Sequence, residues 1–150
     1  METKTPCIYM GLQDLIPNDY RAYLIRDSRS ELGLPTDSPG TVEGWYRDVV
    51  PERTACGRTS IEIENTQGRV VAAVVWTATS TASPLHIYCQ GAYVDPHLRH
   101  RGLGKALCRA MMETSGCEHL EAGAVTDAGM NLMESMQREF PGKVHVWDDR

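Results

Sequence analysis

One stretch constrains the fold more than any other, Tyr93-Val-Asp-Pro-His-Leu-Arg-His-Arg-Gly-Leu-Gly-Lys-Ala-Leu107. It starts as an apolar strand end, and Pro96 marks the exit from that strand. A basic, glycine-rich turn follows. Leu103, Ala106, Leu107, Ala110 and Met111 then make one apolar stripe at helical spacing. A strand, turn and helix in this order gather backbone N–H groups at a helix start, where the dipole and unpaired donors favour an anion. Arg99, Arg101 and Lys105 add positive charge around the same point. The segment suits a phosphate or pyrophosphate, so the chain is expected to handle a phosphorylated ligand.

The glycine spacing narrows the choice of ligand. A P-loop needs G-x-x-x-x-G-K-[ST], but Arg99 stands five before Gly104, and Ala106 follows Lys105. A dinucleotide fingerprint needs a third glycine where this chain has Leu107. What remains is Arg-x-x-Gly-x-Gly over residues 99–104, preceded by Tyr-Val-Asp-Pro. This pattern closely resembles motif A of the GNAT superfamily, the acyl-CoA-dependent N-acyltransferases.

The resemblance implies an α/β (α+β) fold with a mixed, mostly antiparallel central sheet flanked by helices. It also implies acetyl-CoA as co-substrate. The pyrophosphate would meet the amides of Arg101, Gly102, Leu103, Gly104, Lys105 and Ala106, with Arg99 and Lys105 nearest by charge. The pantetheine arm would pair with the strand around Ala92, Tyr93 and Val94, and the N–H near Val94 would polarise the thioester. Asn131, opening the last helix, fits the family's cofactor-contacting Asn. The tyrosine that the family places seven residues later is Arg138 here. Ser135 is the nearest hydroxyl on that helix, with Tyr88 and Tyr93 as lower-ranked substitutes for the acid. His86, an imidazole heading the strand, is the candidate general base, and Glu62 and Glu64 are the other candidates. A solvated strand face is the plainer reading of those two glutamates.

The acceptor implied is a primary amine on a small molecule or a peptide. Aromatic and acidic residues before the motif, among them Tyr20, Tyr23, Glu31, Asp37, Trp45 and Tyr46, would suit one. A non-catalytic CoA-binding or protein-interaction module of the same fold is the alternative. The family's last strand has little room before Arg150, so a shortened C-terminal part is expected, its edge covered by a second copy in a homodimer.

At 150 residues the chain is most economically one domain over 1–150. A formal charge of −5 argues against a nucleic-acid binder, whose footprint is a basic face. Five cysteines without C-x-x-C spacing read as reduced thiols, and His97 and His100 lack a partner at ligand spacing, so no metal site is expected. The N-terminus has no apolar signal core and the run 70–76 is too short for a membrane span, so a cytoplasmic location follows.

Element by element, Cys7–Leu12 reads as a first strand. Tyr20, Tyr23 and Leu24 suggest a helix ending near Gly33, and Val42, Trp45, Tyr46 and Val49 suggest a second over 41–50. A hairpin is expected over 59–79 about Gln67-Gly68, then a strand over 86–94 in which Gly91 marks a bulge or close ligand approach. A strand at 117–125, a helix at 130–140 and a strand at 143–147 complete the chain.

Overall fold

The computed structural model describes residues 3–26, 58–79, 83–124 and 126–150. The described elements are β1 (Thr3–Pro6), α1 (Met10–Gln13), β2 (Arg21–Arg26), β3 (Arg58–Glu64), β4 (Val70–Ala78), β5 (His86–Val94), α2 (Leu103–Ser115), β6 (His119–Ala124), α3 (Asp127–Glu139) and β7 (Val144–Asp148). A short 3-10 turn, Pro96–Leu98, joins β5 to the segment before α2. The strands form a seven-stranded sheet in sequence order. Pairing is antiparallel from β1 to β5 and parallel for β5–β6 and β6–β7. The expected mixed, mostly antiparallel sheet is therefore present, with one strand after the last helix.

The β3–β4 hairpin forms as its alternation predicts. Asn65 closes it by accepting from the N–H groups of Gln67 and Arg69, and Gly68 takes φ +77°. Two N-terminal expectations fail. The first strand is Thr3–Pro6, and part of the expected segment is the single helical turn α1. Arg21–Arg26 is a strand rather than the start of a helix, because its backbone pairs with β1 and β3 on both sides. The expected helix over 41–50 lies outside the described residues.

Register divides the sheet into two faces. Ile61, Val74, Trp76, Ile87, Cys89 and Leu120 pack with Leu107, Met111, Met133 and Met136 of α2 and α3 in one apolar core. The opposite face carries Arg58, Ser60 and Glu62 on β3, all buried. On the same face lie Thr77, Tyr88, Glu121 and His145, in register with Arg58 across the sheet. The β3 strand thus presents polar side chains to one buried face and isoleucines to the other.

Candidate active site

The turn before α2 is built on positive φ. His100 takes φ +65° and Gly102 takes φ +79°, both in the left-handed region. Gly102 is the N-cap, and the first helical bond runs from the Ala106 N–H to its carbonyl at 3.0 Å. The N–H groups of Leu103, Gly104 and Lys105 therefore point out of the helix start without an intrahelical acceptor. Gly102 offers no side-chain cap, and the first turn holds no acidic residue. At the start of α3, by contrast, the Thr126 hydroxyl caps the helix by accepting from the Gly129 N–H at 3.0 Å.

The two glycines serve different ends. A Cβ on Gly102 would meet nothing within 4 Å, so this position requires glycine for its backbone conformation. A Cβ on Gly104 would lie in ordinary contact with Leu132, 3.7 Å away, on the first turns of α3. That contact sets the start of α3 beside the start of α2, and Asn131, adjoining Leu132, is exposed there. Arg99, expected near the pyrophosphate, donates through its Nε to the Val94 carbonyl at 2.8 Å, and its guanidinium lies over the Tyr93 ring at the strand end. Arg101 donates to the His97 carbonyl at 3.4 Å. Lys105, half-buried, lies close enough to Glu139 for its charge to help Arg109 hold that carboxylate below its usual range, chiefly through the Arg109 hydrogen bond.

Beside this turn, β5 changes its partners. Its pairing with β4 shifts between Val75 and Trp76, opposite Gly91 and Cys89, which leaves Gln90 as a bulge residue. The bulge that Gly91 announced is present. Pairing with β6 runs from His86–His119 only to Cys89–Ala122. Beyond that rung β6 continues beside β7, while β5 runs on from Gln90 to Val94 with β4 alone as its sheet neighbour. The unpaired interval between the two parallel strands past that rung forms a cleft in the ladder, and β5 leads from it through Pro96–Leu98 to the start of α2.

The candidate acid–base groups separate along the opposite face. Glu62, expected on a solvated face, is only 6% exposed and accepts from the Ser60 hydroxyl at 3.1 Å. It lies in register with Ala73, which pairs with Tyr93, so two strand spacings (about 10 Å) separate it from the divergent part of β5. Glu64 sits past a register shift and pairs with Lys4. Tyr88 is one residue before the last β5–β6 rung. A Cβ on Gly123, just past that rung, would come within 3.5 Å of the Tyr88 hydroxyl and 2.5 Å of an Asp149 carboxylate oxygen. Glycine there leaves room for both groups at the apex of the cleft. His86 stands about 10 Å before the rung, stacked on His119. Ser135, half-buried on α3, follows Asn131 by one turn.

The acetyltransferase (GNAT) family model matches residues 22–135, about three quarters of the sequence. The chain belongs to the GNAT acetyltransferase family. GNAT enzymes use acetyl-CoA as acyl donor. No curated protein sequence matches it. Among solved structures, it is similar to a putative acetyl transferase from Pyrococcus furiosus at 18% identity, covering 53% of this chain and 57% of that one, with a TM-score of 0.44. A Trypanosoma brucei acetyltransferase shares 19% identity over 77% of this chain and 90% of its own, at 0.48. An aminoglycoside N-acetyltransferase in complex with CoA shares 16% identity over 84% and 90%, also at 0.48. Among the described residues no helix is long and apolar enough to cross a membrane.

Proposed function

We propose that this GNAT protein transfers the acetyl group of acetyl-CoA to a primary amine, on a small molecule or a peptide, by direct attack in a ternary complex. The observation that carries the reading is the uncapped α2 N-terminus that follows the length of β5 left without a β6 partner. The N–H groups of Leu103, Gly104 and Lys105 face the pyrophosphate, and Arg101 and Lys105 supply mobile charge. The pantetheine arm lies along Gln90 to Val94, where β5 has no β6 partner, and the N–H near Val94 polarises the thioester carbonyl. Asn131 contacts the cofactor from the start of α3.

In the chemical step the neutral amine nitrogen forms a bond to the thioester carbon. Glu62 takes the surplus ammonium proton through water, the C–S bond breaks, and Tyr88 protonates the departing CoA thiolate. Glu62 is preferred to His86 because it shares a row with Tyr93, whereas His86 lies on the far side of the last rung from the cleft. Tyr88 is preferred to Ser135 because its hydroxyl reaches the cleft apex. Calorimetry with acetyl-CoA, followed by thiol release across a panel of amines and peptides, tests the reading. Saturable binding with turnover on one amine class supports it, and absence of CoA binding removes it. A second reading, a CoA-binding module without catalysis, is favoured by Arg138 standing at the family's tyrosine position. Tight CoA binding with no thiol release on any acceptor would select that module.

A further inference from the structure

Three histidines far apart in sequence meet on one sheet face. His86 on β5 stacks on His119 of β6 with ring centroids 4.5 Å apart, and the His119 Nδ1 stands 3.3 Å from the His145 Nε2 on β7. They line an open cavity of about 510 Å³ together with Glu121, Gln137 and Trp147. Glu121 is directly in register with His145, so carboxylate and imidazole emerge side by side. Trp147, two residues further along β7, is 51% exposed.

From this arrangement we propose that His119 and His145 chelate a divalent transition-metal ion of borderline softness, such as Zn²⁺, between β6 and β7. Two imidazole nitrogens bound to one tetrahedral zinc at about 2.0–2.1 Å are separated by roughly 3.3–3.4 Å, the edge of the tetrahedron. The two nitrogens, joined by a hydrogen bond, are thus already at that separation, and a chelated metal would take the place of the proton between them. Ring stacking by His86 holds the His119 plane and limits the rotamer entropy that binding has to remove. Among the described residues no third His, Cys, Asp or Glu converges in the present rotamers. The two-histidine chelate is therefore completed by water, or by Glu121 after a side-chain rotation. Imidazole donors select Zn²⁺, Ni²⁺ or Cu²⁺ over Mg²⁺ and Ca²⁺, which prefer oxygen cages. The inference is independent of the acetyltransferase reading, because it uses neither the β5 stretch without a β6 partner nor the α2 turn.

The test is titration of the tag-free protein with Zn²⁺ alone, read by calorimetry and by imidazole nitrogen NMR. One equivalent is expected to bind in the micromolar range and to move the ring signals of His119 and His145, leaving those of His97 and His100 in place. His119→Asn and His145→Gln are each expected to weaken this binding about tenfold or more. Zn²⁺ binding that both variants retain, or that shifts other side chains only, would overturn the proposal. So would the lack of any binding tighter than millimolar. The NMR reading on the unaltered protein decides the matter even where a variant fails to fold.

Discussion

Glu62 brings a carboxylate into a buried polar group with Ser60 and Arg58 on the face that also bears Tyr93 and Tyr88. Glutamine at this position keeps an acceptor for the Ser60 hydroxyl but cannot take a proton. Glu62→Gln is therefore expected to lower kcat about a hundredfold while CoA affinity in calorimetry stays unchanged. Equal activity in the variant would remove Glu62 from the mechanism. The thiols behave differently. Burial pushes Cys89 up to about 12, and burial, with Cys89 nearby, pushes Cys108 well above the usual thiol range. The nucleophilic thiolate of Cys89 forms only as pH rises toward that value. Native alkylation at mildly alkaline pH, mapped by mass spectrometry, is expected to spare both cysteines until the protein is denatured.

Local chemistry decided which elements could be read from the sequence. The run from β5 through the turn to α2 is specified by a proline, a positive-φ glycine and an apolar stripe within fifteen residues or so, all acting on near neighbours. β2 was open to misreading because Tyr20, Tyr23 and Leu24 also satisfy helical spacing, and its strand identity comes from backbone pairing with distant β3. Glu62 alternates with Ile61 and Ile63 as a solvated residue would, and only the assembled sheet reveals that both faces of β3 are covered. The histidine ladder had no sequence signal, since residues 86, 119 and 145 meet only through β5–β6–β7 pairing. The contrast between the helix starts gives a prediction. Thr126→Ala removes the cap of α3 and should cost about 1 kcal/mol, seen as a lower midpoint in urea with an unchanged slope. Gly102→Ala forces a Cβ into the left-handed region and should cost a similar amount, about 1–2 kcal/mol, but with weakened CoA binding as well.

On the proposed reading, ligand binding couples the turn to the stability of the folded chain, because the amides acetyl-CoA would engage are brought together only when β5, α2 and α3 are in place. A ligand that binds only the native state at a hundred times its Kd adds about 2.7 kcal/mol. For a chain of this length each kcal/mol moves the thermal midpoint by about 2–4 °C, so CoA should raise it by roughly 5–10 °C. Gly104→Val separates binding from folding. Its Cβ would sit in ordinary contact with Leu132, whereas its methyl groups add bulk beside the outward-pointing amides of Leu103, Gly104 and Lys105. The variant is expected to keep a thermal midpoint near that of the parent and to lose the CoA-induced rise, with affinity reduced about tenfold or more. Differential scanning fluorimetry with and without CoA reads both quantities in one experiment. A full CoA-induced rise in Gly104→Val would place the pyrophosphate away from the α2 N-terminus. Loss of the rise together with a collapsed midpoint would instead make Gly104 a packing residue between two helices.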